Sequence, residues 1–82
     1  MAIVRFFAAA RAAAGASERE IHAGTLADAL DAVRKTGDAR LSQVLGLCSF
    51  LVDGDPVGSR DHSAVALGEA SVVDCLPPFA GG

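Results

Sequence analysis

Residues 2–8 read Ala-Ile-Val-Arg-Phe-Phe-Ala, a run of β-branched and aromatic residues that is typical of a strand. Neighbours along a strand point to opposite faces, so Phe7 shares one face with Arg5, and Phe6 shares the other with Val4. Both faces are mostly apolar. This pattern predicts either a central strand or a strand whose second face meets a partner.

The rest of the chain divides into short elements separated by glycine, proline and polar turns. They are an Ala-rich helix over 9–14 ended by Gly15, a polar strand over 17–23, the main helix over 25–36, a shorter helix over 38–45 ended by Gly46, a strand over 48–52, a turn over 53–56, a short strand at Val57, a polar loop over 58–63 and a last strand over 71–76. The main helix is the clearest, because Thr25 can cap it and Asp28 suits its positive end.

Two strands, a crossing helix and further strands predict an α+β fold with one main helix packed across a mixed sheet. The first and last strands are the most apolar, so we expect them side by side in the centre. This order is the ubiquitin-like β-grasp arrangement. We predict that residues 1–76 form this domain and that residues 77–82 form an extended tail.

Composition excludes several classes of partner. The 82 residues carry a net charge of −3, so there is no basic surface to neutralise nucleic acid. The four Phe are the only aromatic residues, which disfavours a platform for stacking bases. No stretch approaches the ~18 apolar residues that span a bilayer. We therefore predict neither a nucleic-acid nor a membrane partner.

The two cysteines, Cys48 and Cys75, are too few for the disulfide framework of a small secreted domain. We expect reduced thiols in a cytoplasmic protein, with a Cys48–Cys75 bridge as the alternative. Arg5 and Arg11 interrupt the apolar start of the chain, which argues against a signal peptide there.

The chain shows no catalytic constellation of its own. Its single lysine, Lys35, lies in the main helix and not in a glycine-rich phosphate loop. His22 and His62 fall in polar segments and are predicted to be solvated, and no spacing suggests a metal site. We expect no metal and no cofactor bound by this chain.

The last six residues, 77–82, read Pro-Pro-Phe-Ala-Gly-Gly. Two prolines hold the backbone extended, and neither final glycine has a Cβ to hinder the Gly82 carboxylate. Such a tail could thread a narrow channel and present its carboxyl group for activation as an acyl-adenylate. The plain alternative is a frayed terminus.

Residues 76–82 resemble the end of the molybdopterin synthase small subunit, in the MoaD branch of the MoaD/ThiS sulfur carriers. The openings of the chain (residues 4–8) and of the main helix (residues 25–30) are similar to that family as well. Three features depart from it: residues 68–71 match its acidic turn only in part, Cys75 stands where the family commonly has a bulkier aromatic residue, and Phe79 is larger than the usual aliphatic residue.

The resemblance implies that an activating enzyme adenylates Gly82 with ATP and that the carboxylate becomes a thiocarboxylate. Within a complex with the large synthase subunit, the sulfur then passes to precursor Z, the cyclic pyranopterin monophosphate. Close relatives supply thiamine thiazole, cysteine or tRNA instead, and a ubiquitin-like modifier or interaction module is a further alternative. The assigned residues are Gly82 as carrier and, for partner binding, Gly81, Ala80, Phe79, Pro78, Pro77 and Phe7.

Overall fold

The computed structural model describes residues 1–78, which form a mixed sheet covered on one face by helices. Its strands are β1 (Ala2–Phe6), β2 (Glu18–Ile21), β3 (Ser49–Val52), β4 (Asp55–Pro56) and β5 (Val72–Leu76); its helices are α1 (Ala8–Ala14), α2 (Leu26–Thr36) and α3 (Ala39–Leu47), with a short 3-10 helix at His62–Ala64. The predicted ubiquitin-like β-grasp fold is confirmed.

The strand order is β2-β1-β5-β3-β4. The first and last strands lie side by side in the centre, as the sequence predicts. They are parallel, and every other neighbouring pair in this sheet is antiparallel. Since β1 and β5 run in the same direction, both end at the same edge of the sheet, and this places Phe7 beside the start of the tail.

The core lies between the sheet and the helices. Thr25 caps α2 by accepting a hydrogen bond from the Asp28 amide at 3.2 Å, as predicted. The helix then turns its apolar stripe onto the sheet. The largest fully buried side chains of the core are Val4, Phe6, Val73 and Cys75 from the strands and Leu26, Leu30, Val33, Leu41 and Leu45 from the helices. Leu67 packs against this cluster from the loop before β5.

Several predicted boundaries are wrong; the polar strand predicted over 17–23, for example, runs only from Glu18 to Ile21. The first strand ends at Phe6 rather than at residue 8, because the chain turns at Phe7 and Ala8 begins α1 with a positive φ of 50°. Helix α3 continues through Gly46 to Leu47, and Cys48 ends this helix instead of beginning the strand. A glycine inside a helix costs only about 1 kcal/mol, so it does not by itself end one.

The short strand predicted at Val57 lies at Asp55–Pro56 instead. Asp53 and Gly54 both have positive φ, 51° and 85°, as a two-residue hairpin turn requires. The tight turn places Asp55 directly opposite Val52. Proline is tolerated in β4 because β4 is an edge strand.

We expect Asp53→Ala to lower the free energy of unfolding by about 1–3 kcal/mol. The Asp53 carboxylate accepts hydrogen bonds from the Val72 amide at 2.8 Å and from the Ser71 hydroxyl at 3.2 Å. Alanine removes both bonds and is also disfavoured at positive φ. Urea denaturation measures the loss. Asp53→Asn is the matched control, because it tolerates the turn and keeps one acceptor oxygen; an equal loss in both variants would contradict this account.

Candidate functional site

The sheet face turned away from the helices, here called the open face, is apolar with a charged pair at its centre. Strand register places its residues on one surface; the central ones are Ile3, Arg5, Leu51, Val72, Asp74 and Leu76. The four apolar side chains among them are only partly buried. A small protein with such a surface presents an interaction site more often than not.

Phe7 stands at the end of the open face nearest the tail. Its amide donates to the Cys75 carbonyl at 3.3 Å, which holds it beside the end of β5. Its side chain is 39% exposed, and the Arg5 guanidinium lies 5.7 Å from the ring centroid. Phe7 therefore does not pack under the helices. Its neighbour in sequence, Phe6, fills the core instead.

The tail leaves the sheet beside Phe7. Strand β5 ends at Leu76, after which Pro77 is half-buried and Pro78 is exposed. The other predicted site residues, Phe79, Ala80, Gly81 and Gly82, lie outside the described residues. Pro77 and Pro78 are here called the root of the tail. The structure thus brings Phe7 together with the root of the tail, and it places both at one edge of the sheet.

The central charged pair was not foreseen. The Asp74 side chain is only 11% exposed, so it does not lie on a solvated face. Arg5 donates to Asp74 through Nε at 2.6 Å and through Nη2 at 2.9 Å. The hydrogen bond and the charge of Asp74 raise the pKa of Arg5 further above its ordinary value. Parallel register puts these residues opposite each other, and sequence alone does not give register.

Both thiols are free, so the alternative of a Cys48–Cys75 disulfide is wrong. Burial, reinforced by Cys48 and Asp74, raises the pKa of Cys75 to about 12, and burial raises the pKa of Cys48 as well. Since the thiolate is the nucleophile, neither cysteine is suited to donate sulfur at neutral pH.

Replacing Cys75 with Val should flatten the fall of stability at alkaline pH. Because the folded pKa is raised, the Cys75 thiol contributes its full stability below its ordinary pKa of 9.0. That contribution is lost as the pH rises toward about 12. Removing the Cys75 thiol can reduce the slope of the free energy of unfolding against pH by up to about 1.4 kcal/mol per pH unit. Urea denaturation of both proteins between these pH values checks it. The comparison variant is Cys48→Val, which removes a half-buried thiol with a smaller rise in pKa and should flatten the fall less. Parallel curves for Cys75→Val and the unaltered protein would contradict it.

The histidines divide between solvent and the core margin. His22 is exposed, as predicted. His62 is not fully solvated, because its ring meets the Phe50 ring edge-on at a centroid distance of 5.3 Å. Within residues 1–78, no cluster of His, Cys, Asp or Glu side chains could hold a metal ion. In the same part of the chain, no helix has the length and apolar character needed to cross a membrane.

Comparison with protein families gives a match over nearly the whole chain. The model of the ThiS family matches residues 4–82 and therefore includes the terminal Gly81-Gly82. None of the curated proteins matches the chain by sequence.

Solved structures with this fold include both free proteins and complexes. The small archaeal modifier protein 1 (SAMP1) of Methanosarcina acetivorans is 23% identical, with 99% of this chain and 95% of that chain covered and a TM-score of 0.85. The complex of subunits 1 and 2 of the molybdopterin-converting factor from Helicobacter pylori gives 26% identity, 99% and 97% coverage and a TM-score of 0.68. The BexX/CysO complex of Amycolatopsis orientalis gives 16%, full coverage of both chains and 0.81.

Proposed function

The chain belongs to the ThiS family, and from this premise we propose that it is a sulfur carrier whose working group is the Gly82 carboxylate. The observation that carries the proposal is that the family match extends over the whole fold and through Gly82. The position of the tail supports it as well, because Pro77 leaves the sheet beside an exposed apolar face. A partner seated on that face would hold the tail at its own catalytic centre.

The proposed chemistry has two steps on the tail. A carboxylate oxygen of Gly82 attacks the α-phosphorus of ATP in an adenylating enzyme, and pyrophosphate leaves. Hydrosulfide then attacks the acyl carbon, and AMP leaves with the bonding electron pair. The product is a thiocarboxylate. The partner supplies the nucleotide site and the electrostatic stabilisation of both steps. Because the activation uses ATP, we propose the cytoplasm as its location.

For the acceptor, we propose precursor Z and a molybdopterin synthase large subunit. The support is the likeness to the two-subunit molybdopterin-converting factor of Helicobacter pylori, the most similar in sequence of the three structures described above. In a complex of this chain with such a large subunit, the thiocarboxylate sulfur would attack a side-chain carbon of the pterin and displace an oxygen of its cyclic phosphate. Hydrolysis of the resulting thioester would return Gly82 to a carboxylate. The alternative acceptors are thiamine thiazole, cysteine and tRNA. The BexX/CysO complex contains a protein of the same fold bound to a partner.

The second candidate is a ubiquitin-like modifier, joined through Gly82 to lysines of other proteins. The likeness to SAMP1, with a TM-score of 0.85, favours it. The two candidates share adenylation and differ in the nucleophile, which is sulfur in one case and a lysine amine in the other.

Intact-mass analysis tests the proposal. The protein is incubated with a purified adenylating enzyme, ATP and a sulfur source. We expect the mass to rise by the difference between one sulfur and one oxygen atom, with the change located at Gly82 by fragmentation. Omission of ATP is the control. An unchanged mass would contradict the carrier role, and isopeptide adducts without a thiocarboxylate would favour the modifier.

A further inference from the structure

The Arg5–Asp74 pair is an unusual centre for an apolar surface. Ile3, Val72 and Leu51 border it, yet the Arg5 side chain remains 47% exposed while that of Asp74 is nearly covered. The bidentate bond to the nearly covered Asp74 serves the fold, but the exposed remainder of the guanidinium adds little to stability. Arginine is, in contrast, enriched among the residues that dominate binding at interfaces.

The pair leaves part of the guanidinium without a partner. Arg5 uses Nε and Nη2 toward Asp74, and within residues 1–78 it makes no hydrogen bond through Nη1. Phe7 lies against the guanidinium group. The Phe7 ring and the Asp74 carboxylate together fix the orientation of the guanidinium plane. A protein that covers the open face must supply an acceptor for the remaining N–H groups, because a buried donor without one is strongly unfavourable.

The charges around Arg5 decide what kind of acceptor fits. Asp74 is bonded to it, and Glu18 lies opposite it on β2 and interacts with its charge. Two carboxylates already surround one guanidinium, so a third would meet net repulsion. A neutral acceptor, such as a main-chain carbonyl or a side-chain amide, is not repelled by these carboxylates.

We propose that the Arg5–Asp74 pair is a specificity element of the open face, selecting a protein partner that places an uncharged hydrogen-bond acceptor opposite Arg5 within an apolar surface. This rests on the proposed function, because it assigns the partner chemistry of the same surface. Arg5 is the contacting residue. Asp74 is a positioning residue that acts by fixing the guanidinium plane.

Replacing the pair together tests the proposal. In the double variant Arg5→Met with Asp74→Leu, both charges leave and the apolar face is retained. We expect the Kd for the purified adenylating enzyme to rise at least about tenfold. The salt dependence of binding should stay unchanged, because the lost pair is neutral as a unit. The single variant Arg5→Lys should also weaken binding, since an ammonium lacks the planar fork.

The control is a charged pair of the same type elsewhere. Arg34 and Asp31, 3.5 Å apart on α2, are replaced in the same way, and affinity should not change. Thermal unfolding confirms that each variant is folded. If the Arg5/Asp74 double variant binds as tightly as the unaltered protein, the pair is not a specificity element. A changed salt dependence would show a charged acceptor and would also overturn the proposal.

The outcome separates this inference from the proposed function. If the unaltered protein acquires sulfur and the pair variants bind equally well, only the inference fails. If the unaltered protein neither binds the enzyme nor acquires sulfur, both fail.

Discussion

A protein extended by one alanine after Gly82 is expected to lose thiocarboxylate formation by at least about a hundredfold. One added residue moves the reactive carboxylate by about 3.3–3.6 Å along an extended chain. Misplacing a reacting group by about 1 Å can already cost a hundredfold in rate. The alanine also brings a Cβ next to the carboxylate, where the chain otherwise ends in two glycines. Intact-mass analysis with adenylating enzyme, ATP and a sulfur source measures the loss.

The matched control carries the same alanine at the other end of the chain, before Met1. That protein should form the thiocarboxylate at the normal rate. Both extended proteins should unfold at the same temperature as the unaltered protein. Deletion of Gly82 should abolish charging as well. Normal charging of the C-terminally extended protein would show that the Gly82 carboxylate is not the working group.

The fold could be predicted because its strongest signals are local. The apolar runs at 2–8 and 71–76 identify the central strands. Thr25, followed by apolar residues at helical spacing, identifies α2. The errors fall where a local rule competes with packing. Gly46 resembles a helix stop, but α3 continues for another residue and ends only where the chain becomes extended at Cys48.

The candidate site could be predicted only in part. The sequence analysis assigned both Phe7 and Pro77 to partner binding, and the structure places them at one edge of the sheet. Alternation along β1 does not say which face the helices cover, so Phe7 could equally have been buried. The Arg5–Asp74 pair depends on the register of two strands 69 positions apart, which no local pattern specifies.

Phe7→Asp is expected to weaken binding of the adenylating enzyme by about 2 kcal/mol or more, which is about thirtyfold in Kd. The Phe7 side chain is an exposed aromatic group beside the root of the tail, so a partner that receives the tail would cover it. Aspartate removes this apolar contact and adds a charge beside Arg5 and Asp74. The fold should tolerate the change, because Phe7 caps α1 without a side-chain hydrogen bond and aspartate is a favoured capping residue.

Leu47→Asp is the matched control for this change. Leu47 is another large exposed apolar residue, 69% exposed at the end of α3, and it belongs to the helical side of the molecule. Its replacement should leave the affinity for the adenylating enzyme unchanged, as measured by calorimetric titration. Equal losses for the two variants would mean that general surface apolarity drives binding. Loss for Leu47→Asp alone would place the partner on the helices and remove the open face from the mechanism.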